Sequence, residues 1–166
     1  MTRPFLACAC LVLAGLSPAH ARTAAHGDTP AAAPAIAEAV DPAPAATVDE
    51  FSAALQAGDL DRVGALLADD VLVLESGGAE RSKAEYFAGH AAADAAFLKQ
   101  AHVQRTQRTV RVDGDHAWVG TESELHYSRD GQPATVLSTE TMVLKRTPAG
   151  WRIVHIHWSS RRKSQE

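Results

Sequence analysis

An α+β domain, with helices first and a curved antiparallel sheet packed over them, is what the sequence predicts from three observations. Between Thr47 and Lys99 the apolar residues recur at helical spacing. From Val103 onward they recur at every second position. The second half is punctuated by Asp113-Gly114, Asp130-Gly131 and Pro148-Ala149-Gly150, which read as hairpin turns.

The elements follow in order. Residues 1–21 have the form of an export signal: Arg3 is the positive start, Phe5 to Leu16 is apolar or small, and Ala19-His20-Ala21 offers a cleavage site. Both cysteines, Cys8 and Cys10, lie inside it, so the processed chain is expected to carry no thiol and no disulfide. Cleavage near Ala21 implies a periplasmic or secreted protein. Residues 22–46 read as an extended linker, because 15 of the 24 residues from Thr23 to Ala46 are Ala or Pro and little apolar surface is available to offset ordering.

The domain proper, residues 47–166, opens on Thr47-Val48-Asp49-Glu50, the form of a capping box. A first helix carries Phe51, Ala54 and Leu55. Gly58-Asp59 ends it, and Asp59 caps a second helix through Leu60, Val63, Leu66 and Leu67. Val71 to Leu74 is a short buried strand closed by Glu75-Ser76-Gly77-Gly78. A third helix runs from Ser82 to about Lys99, with Tyr86, His90, Ala93 and Phe97 on one stripe. Four alternating segments follow, Val103–Val112, His116–Tyr127, Ala134–Arg146 and Trp151–Ser159, as an antiparallel meander.

Composition narrows the function classes. The chain has 16 Lys+Arg against 20 Asp+Glu, a net charge of −4, and its longest basic run is Arg161-Arg162-Lys163, so nucleic acid is not an expected partner. The N-terminal apolar run is shorter than a membrane span needs, and no membrane association is expected after cleavage. Neither the glycine-rich nucleotide motifs, nor a Gly-x-Ser-x-Gly elbow, nor His-Glu-x-x-His occurs.

The two helices followed by Asp69-Asp70-Val71-Leu72-Val73, and the closing run Gly150-Trp151-Arg152-Ile153-Val154-His155-Ile156-His157-Trp158-Ser159, resemble the nuclear transport factor 2-like, or SnoaL-like, superfamily. The closing run is similar to the final strand of the calcium/calmodulin-dependent kinase II association domain and its bacterial relatives. The resemblance spans about Thr47 to Arg161. It implies a cone-shaped domain with a cavity between the third helix and the concave sheet, and a homodimer formed through the sheet. Enzymes and inert hubs share that fold, so it does not select an activity.

Within this frame several side chains can carry chemistry. His155 and His157, two apart on a strand, project from one face with Trp151, Ile153 and Ser159, while Val154, Ile156 and Trp158 point the other way. Alternation does not say which face lines the cavity. His90 and Asp94 are one turn apart on the third helix, and together His90, Asp94, His155 and His157 form a candidate divalent-metal set. Without a metal or any other cofactor, Asp94 or Glu140 acting with His155 or His157 is a candidate acid/base pair. Glu140 stands mid-strand on a face with Val136, Ser138, Met142 and Leu144, so burial obliges it to be paired, hydrogen-bonded or protonated. Its alternative role is a cross-strand ion pair with Arg105, Arg108 or Arg152. Glu75, Tyr86, His90, Phe97 and Trp118 complete the expected ligand pocket. A Tyr–Asp pair of the ketosteroid isomerase kind is not evident, because neither Tyr86 nor Tyr127 has an acidic partner by spacing.

The expectations are therefore a small-molecule ligand held in the cone, a cofactor-independent lyase, isomerase or hydrolase, or a metal-binding protein. A dimerisation module with a vestigial cavity is the blandest of them.

Overall fold

The computed structural model describes residues 43–164. The export signal and residues 22–42 of the linker reading lie outside the described residues.

Helix α1 (Ala43–Ala57) begins four residues before the expected capping box. Thr47 caps nothing, because its hydroxyl donates to Ala43 O at 3.0 Å inside the helix. Pro44 occupies the first turn instead, where its missing N–H leaves no bond unmade and its φ is already helical. Val48, Phe51 and Leu55 put one stripe of α1 into the core. The helix stops at Gly58, whose φ of +79° opposes a side chain. Gly58 N and Asp59 N take the carbonyls of Leu55 and Ala54 at 3.1 and 2.9 Å. Asp59 then caps α2 (Leu60–Leu66), accepting from Arg62 N at 3.0 Å as expected.

Strand β1 (Leu67–Glu75) is longer than expected, and Ser76 and Gly77, both at positive φ, turn it into β2 (Gly78–Glu80), which the alternation was too short to reveal. The expected third helix is two: α3 (Lys83–Ala88) and α4 (Ala91–Gln100). Ser82 caps α3 as expected, accepting from Glu85 N at 3.1 Å. The break falls at Gly89, whose N–H returns to Glu85 O and Tyr86 O. A Cβ there would lie 3.2 Å from Glu85 O, so the joint is fitted to glycine.

Strands β3 (His102–Asp113), β4 (His116–Arg129), β5 (Gln132–Thr147) and β6 (Gly150–Arg162) form the expected meander. The six strands make one curved, unclosed sheet in the order β2-β1-β6-β5-β4-β3, in which β1 runs parallel to β6 and every other pairing is antiparallel. Val73, Ile156, Met142, Val119 and Val110 stand in register across five strands and form the base of the concave face; the first four are at most 1% exposed. The helices cover this face, with Phe51, Leu55 and Tyr86 packed over it. Among the described residues the register shifts at three points: between Leu67 and Leu72 where β1 pairs with β6, between Arg105 and Gln107 in β3, and where Val143 pairs with His155 and Leu144 with Ile153, leaving Val154 as an extra residue in β6.

Candidate functional site

Between α1, α4 and the concave sheet lies a cavity of about 300 Å³. Its sheet wall is built in ranks, because residues paired across strands share a face. Directly above the apolar base stand Glu75, Trp158, Glu140, Thr121 and Arg108, in register across β1, β6, β5, β4 and β3. The next rank is Ser160, Ser138, Ser123 and Arg105, and the mouth is lined by Val136, Leu125 and Val103. Arg105 and Arg108 are three apart and would face opposite ways on a regular strand. The β3 bulge between them turns both inward.

At the β3 end, Arg105 Nη1 and Arg108 Nη1 both donate to Asp49 Oδ1 of α1, at 2.8 and 2.5 Å. Glu140 accepts from Trp158 Nε1 at 2.8 Å. Burial raises its pKa, and the Trp158 bond and the Arg108 charge only partly oppose this. The Thr121 hydroxyl lies beside the carboxyl, close enough to favour ionisation but without the alignment of a hydrogen bond. The expected cross-strand ion pair therefore does not form: Arg105 and Arg108 go to Asp49, and Glu140 goes to an indole.

At the β1 end, Glu75 and Asp94 both line the cavity. Tyr86 OH donates to Asp94 Oδ2 at 3.0 Å. Burial raises Asp94, and the Tyr86 hydrogen bond and His90 pull against it; burial, then the Asp94 charge, raises Glu75. The buried Tyr86 phenol is held far above its ordinary pKa by burial and the adjoining carboxylates. Behind them His90 Nδ1 pairs with Glu80, which lifts the imidazole above its usual range. The Tyr86–Asp94 pair corrects the expectation that no tyrosine has an acidic partner. Eight residues on a straight helix are about 12 Å apart along the axis, and the turn at Gly89-His90 brings the two side chains together.

The sequence-derived residues thus divide. Asp94, Glu140, Glu75 and Phe97 line the cavity, and Tyr86 stands directly behind Asp94. His90 is 61% exposed behind the wall and reaches the cavity acids through space alone. Trp118 does not belong to the pocket; it lies on the convex face, 42% exposed, against Gly120.

His155 and His157 are also on the convex face. The Val154 bulge reverses the alternation, so Trp151 and Ile153 share the concave face with Ile156 and Trp158 rather than with the histidines. His155 Nδ1 is tied to Leu72 O at 2.9 Å, and His157 is exposed. The expected set of His90, Asp94, His155 and His157 is therefore not assembled, nor is an acid/base pair of Asp94 or Glu140 with either strand histidine. Among the described residues no group of three or more His, Cys, Asp or Glu is disposed to hold a metal ion. Sequence reasoning missed Asp49, Thr121, Trp158 and the three serines as cavity residues, and gave Arg105 and Arg108 only a pairing role. The arginines were hidden by a bulge that no residue type announces.

The chain matches the SnoaL-like domain family over residues 45–162. A candidate ketosteroid isomerase of Shewanella frigidimarina is 35% identical, covering 73% of this chain and 98% of its own, with a TM-score of 0.69. A candidate calcium/calmodulin-dependent protein kinase II association domain of Xanthomonas campestris is 25% identical, over 71% of this chain and 85% of its own, with a TM-score of 0.58. The hub of the same kinase in S. rosetta shares 23% identity, 72% and 95% coverage and a TM-score of 0.64, a likeness of fold alone. No curated protein matches the sequence.

Proposed function

The chain belongs to the SnoaL-like domain family, and from the form of its cavity we propose that it binds a small organic ligand in the cone. One observation carries this reading: an open cavity of about 300 Å³ in which two ranks of polar groups lie between an apolar base and an apolar mouth. Convergent polar groups in an otherwise apolar concavity are the ordinary form of a small-molecule site. The test uses the fluorescent probe 1-anilinonaphthalene-8-sulfonate with wild type and Ser138→Trp, which fills the middle rank. Saturable binding by wild type and at least tenfold weaker binding by a variant that still melts cooperatively is the expected result. Equal binding by both overturns the cone as the site.

A second reading, turnover without a cofactor, is favoured by Asp94, Glu75 and Glu140, three cavity carboxyl groups whose pKa burial raises, which makes them stronger bases than free carboxylates. Asp94, held by Tyr86, is the acid/base group of choice, and its chemistry is proton transfer at a carbon beside a carbonyl. Deuterium exchange into 2-cyclohexenone, followed by NMR, tests it. Loss of the exchange in Asp94→Asn supports this reading, and an undiminished rate sinks it.

Export rests on the sequence of residues 1–21 and a homodimer on the kinship with association domains. Mass measurement of the processed chain and sedimentation equilibrium test the two. An intact residue 1, or a monomer at micromolar concentration, would reject the respective proposal.

A further inference from the structure

The β1 end of the cavity has an unmatched charge. Glu75 and Asp94 both face the interior. Among the described residues the one cationic side chain acting on either is His90, which is 61% exposed and already paired with Glu80. The cavity's own cations cannot serve, since Arg105 and Arg108 are engaged by Asp49 at the opposite end. Among the described residues the Glu75 carboxyl has no hydrogen bond, and its cross-strand neighbour is Trp158, with Phe97 also on the wall. Carboxylates beside aromatic faces suit an ammonium ion, which gains from both the charge and the ring quadrupole.

A second, independent feature points to the other end of the same ligand. Thr121 is 8% exposed and faces the cavity, yet among the described residues its Oγ1, beside the Glu140 carboxyl, makes no aligned hydrogen bond, and the buried Nε of Arg108 next to it has no partner. Unmatched buried polar atoms are costly, and a ligand oxygen at that point would satisfy them. Glu75 and Thr121 belong to one rank, three strands apart, so their Cα atoms are separated by about 14 Å and their inward side chains by less.

Resting on the organic-ligand reading, we propose that the ligand is an aryl or alkyl amine with an oxygen function at its far end. Its ammonium sits between Glu75 and Asp94, its apolar body lies along Trp158 and Phe97, and its oxygen reaches Thr121 and Arg108. The raised carboxyl pKa values agree with this, because a bound cation would lower both.

The experiment compares tyramine with its uncharged isostere tyrosol by isothermal titration calorimetry, on the whole chain at neutral pH. Tyramine is expected to bind at least tenfold tighter. In Glu75→Gln/Asp94→Asn the ratio is expected to fall to within threefold of one, and in Glu75→Gln, which breaks no internal hydrogen bond, to an intermediate value. A wild-type ratio near one overturns the amine assignment while leaving the cone as an organic pocket. A ratio that survives in the double variant overturns the placement at Glu75 and Asp94. Failure of both probes to bind also overturns the proposal, and the anilinonaphthalene result then shows separately whether the cone reading stands.

Discussion

Replacing Tyr86 by Phe removes one oxygen and nothing else of the side chain's packing. The ring stays fully buried against Phe87 and Trp158, at centroid distances of 6.0 and 6.3 Å, so no cavity larger than a hydroxyl opens. What is lost is the 3.0 Å bond to Asp94 Oδ2, one of the groups holding Asp94's pKa down against burial. A hydrogen bond to an ionised partner contributes about 1.5–3 kcal/mol, and one between neutral groups about 1 kcal/mol. The sign follows from linkage. Asp94 is already raised, so its ionisation costs stability as pH rises through the folded-state value, and Tyr86→Phe raises that value further. The loss should be about 2 kcal/mol at pH 8, or about 8 °C at roughly 4 °C per kcal/mol for a domain of this size. It should shrink toward about half on approach to pH 4, as the carboxyl takes up its proton. Thermal melts of wild type, Tyr86→Phe, Asp94→Asn and the double variant at both pH values provide the assay, since the cycle isolates the pair. A loss independent of pH, or a coupling energy near zero, would refute the reasoning.

Glu140→Gln keeps an acceptor for Trp158 Nε1 but removes the buried charge; because burial raises the folded pKa, wild type loses stability as pH climbs, so the variant should melt higher at pH 8 and equally at pH 4. A lower melting temperature at pH 8 would contradict this. Deleting Val154 removes the extra residue and leaves Ile153, Ile156 and Trp158 in regular alternation on the concave face, so circular dichroism should still show a cooperative melt. Absence of a cooperative melt in the deletion would argue against Val154 as the extra residue. His155→Ala/His157→Ala, on the convex face, should change anilinonaphthalene binding less than twofold, whereas a tenfold loss would return the histidines to the cavity. Met142→Ala, at the fully buried centre of the base rank, should cost about 2–5 kcal/mol in denaturant unfolding, and a loss below about 1 kcal/mol would show the rank to be loosely packed.

The likeness of fold to both a candidate isomerase and association domains has a physical basis in the ranks of the sheet. The base rank of valines, Ile156 and Met142 holds the fold together. The ranks above it line the cavity and lie outside that base. A ligand bound in the cone, as proposed above, would meet a few inward positions, here Glu75, Asp94, Arg108, Thr121 and Glu140.

What the sequence determined by itself was local. Helical and alternating periods, the Ser82 and Asp59 caps and the glycine turns depend on residues within a few positions of one another, and they led to the α+β plan, the meander, and Glu140, Glu75, Asp94 and Phe97 as cavity residues. Three things were decided only in three dimensions. The parallel pairing of β1 with β6 joins segments about 80 residues apart, and no local pattern encodes it. The break at Gly89 appears because Tyr86 and Asp94 must both serve the same buried corner, although the stripe of Tyr86, His90 and Phe97 reads as one helix. The extra residue Val154 reverses every side chain beyond it, and whether a β-branched residue lies in a regular strand or a bulge is settled by the neighbouring strand's register. That single residue took His155 and His157 from the cavity and gave it Trp158.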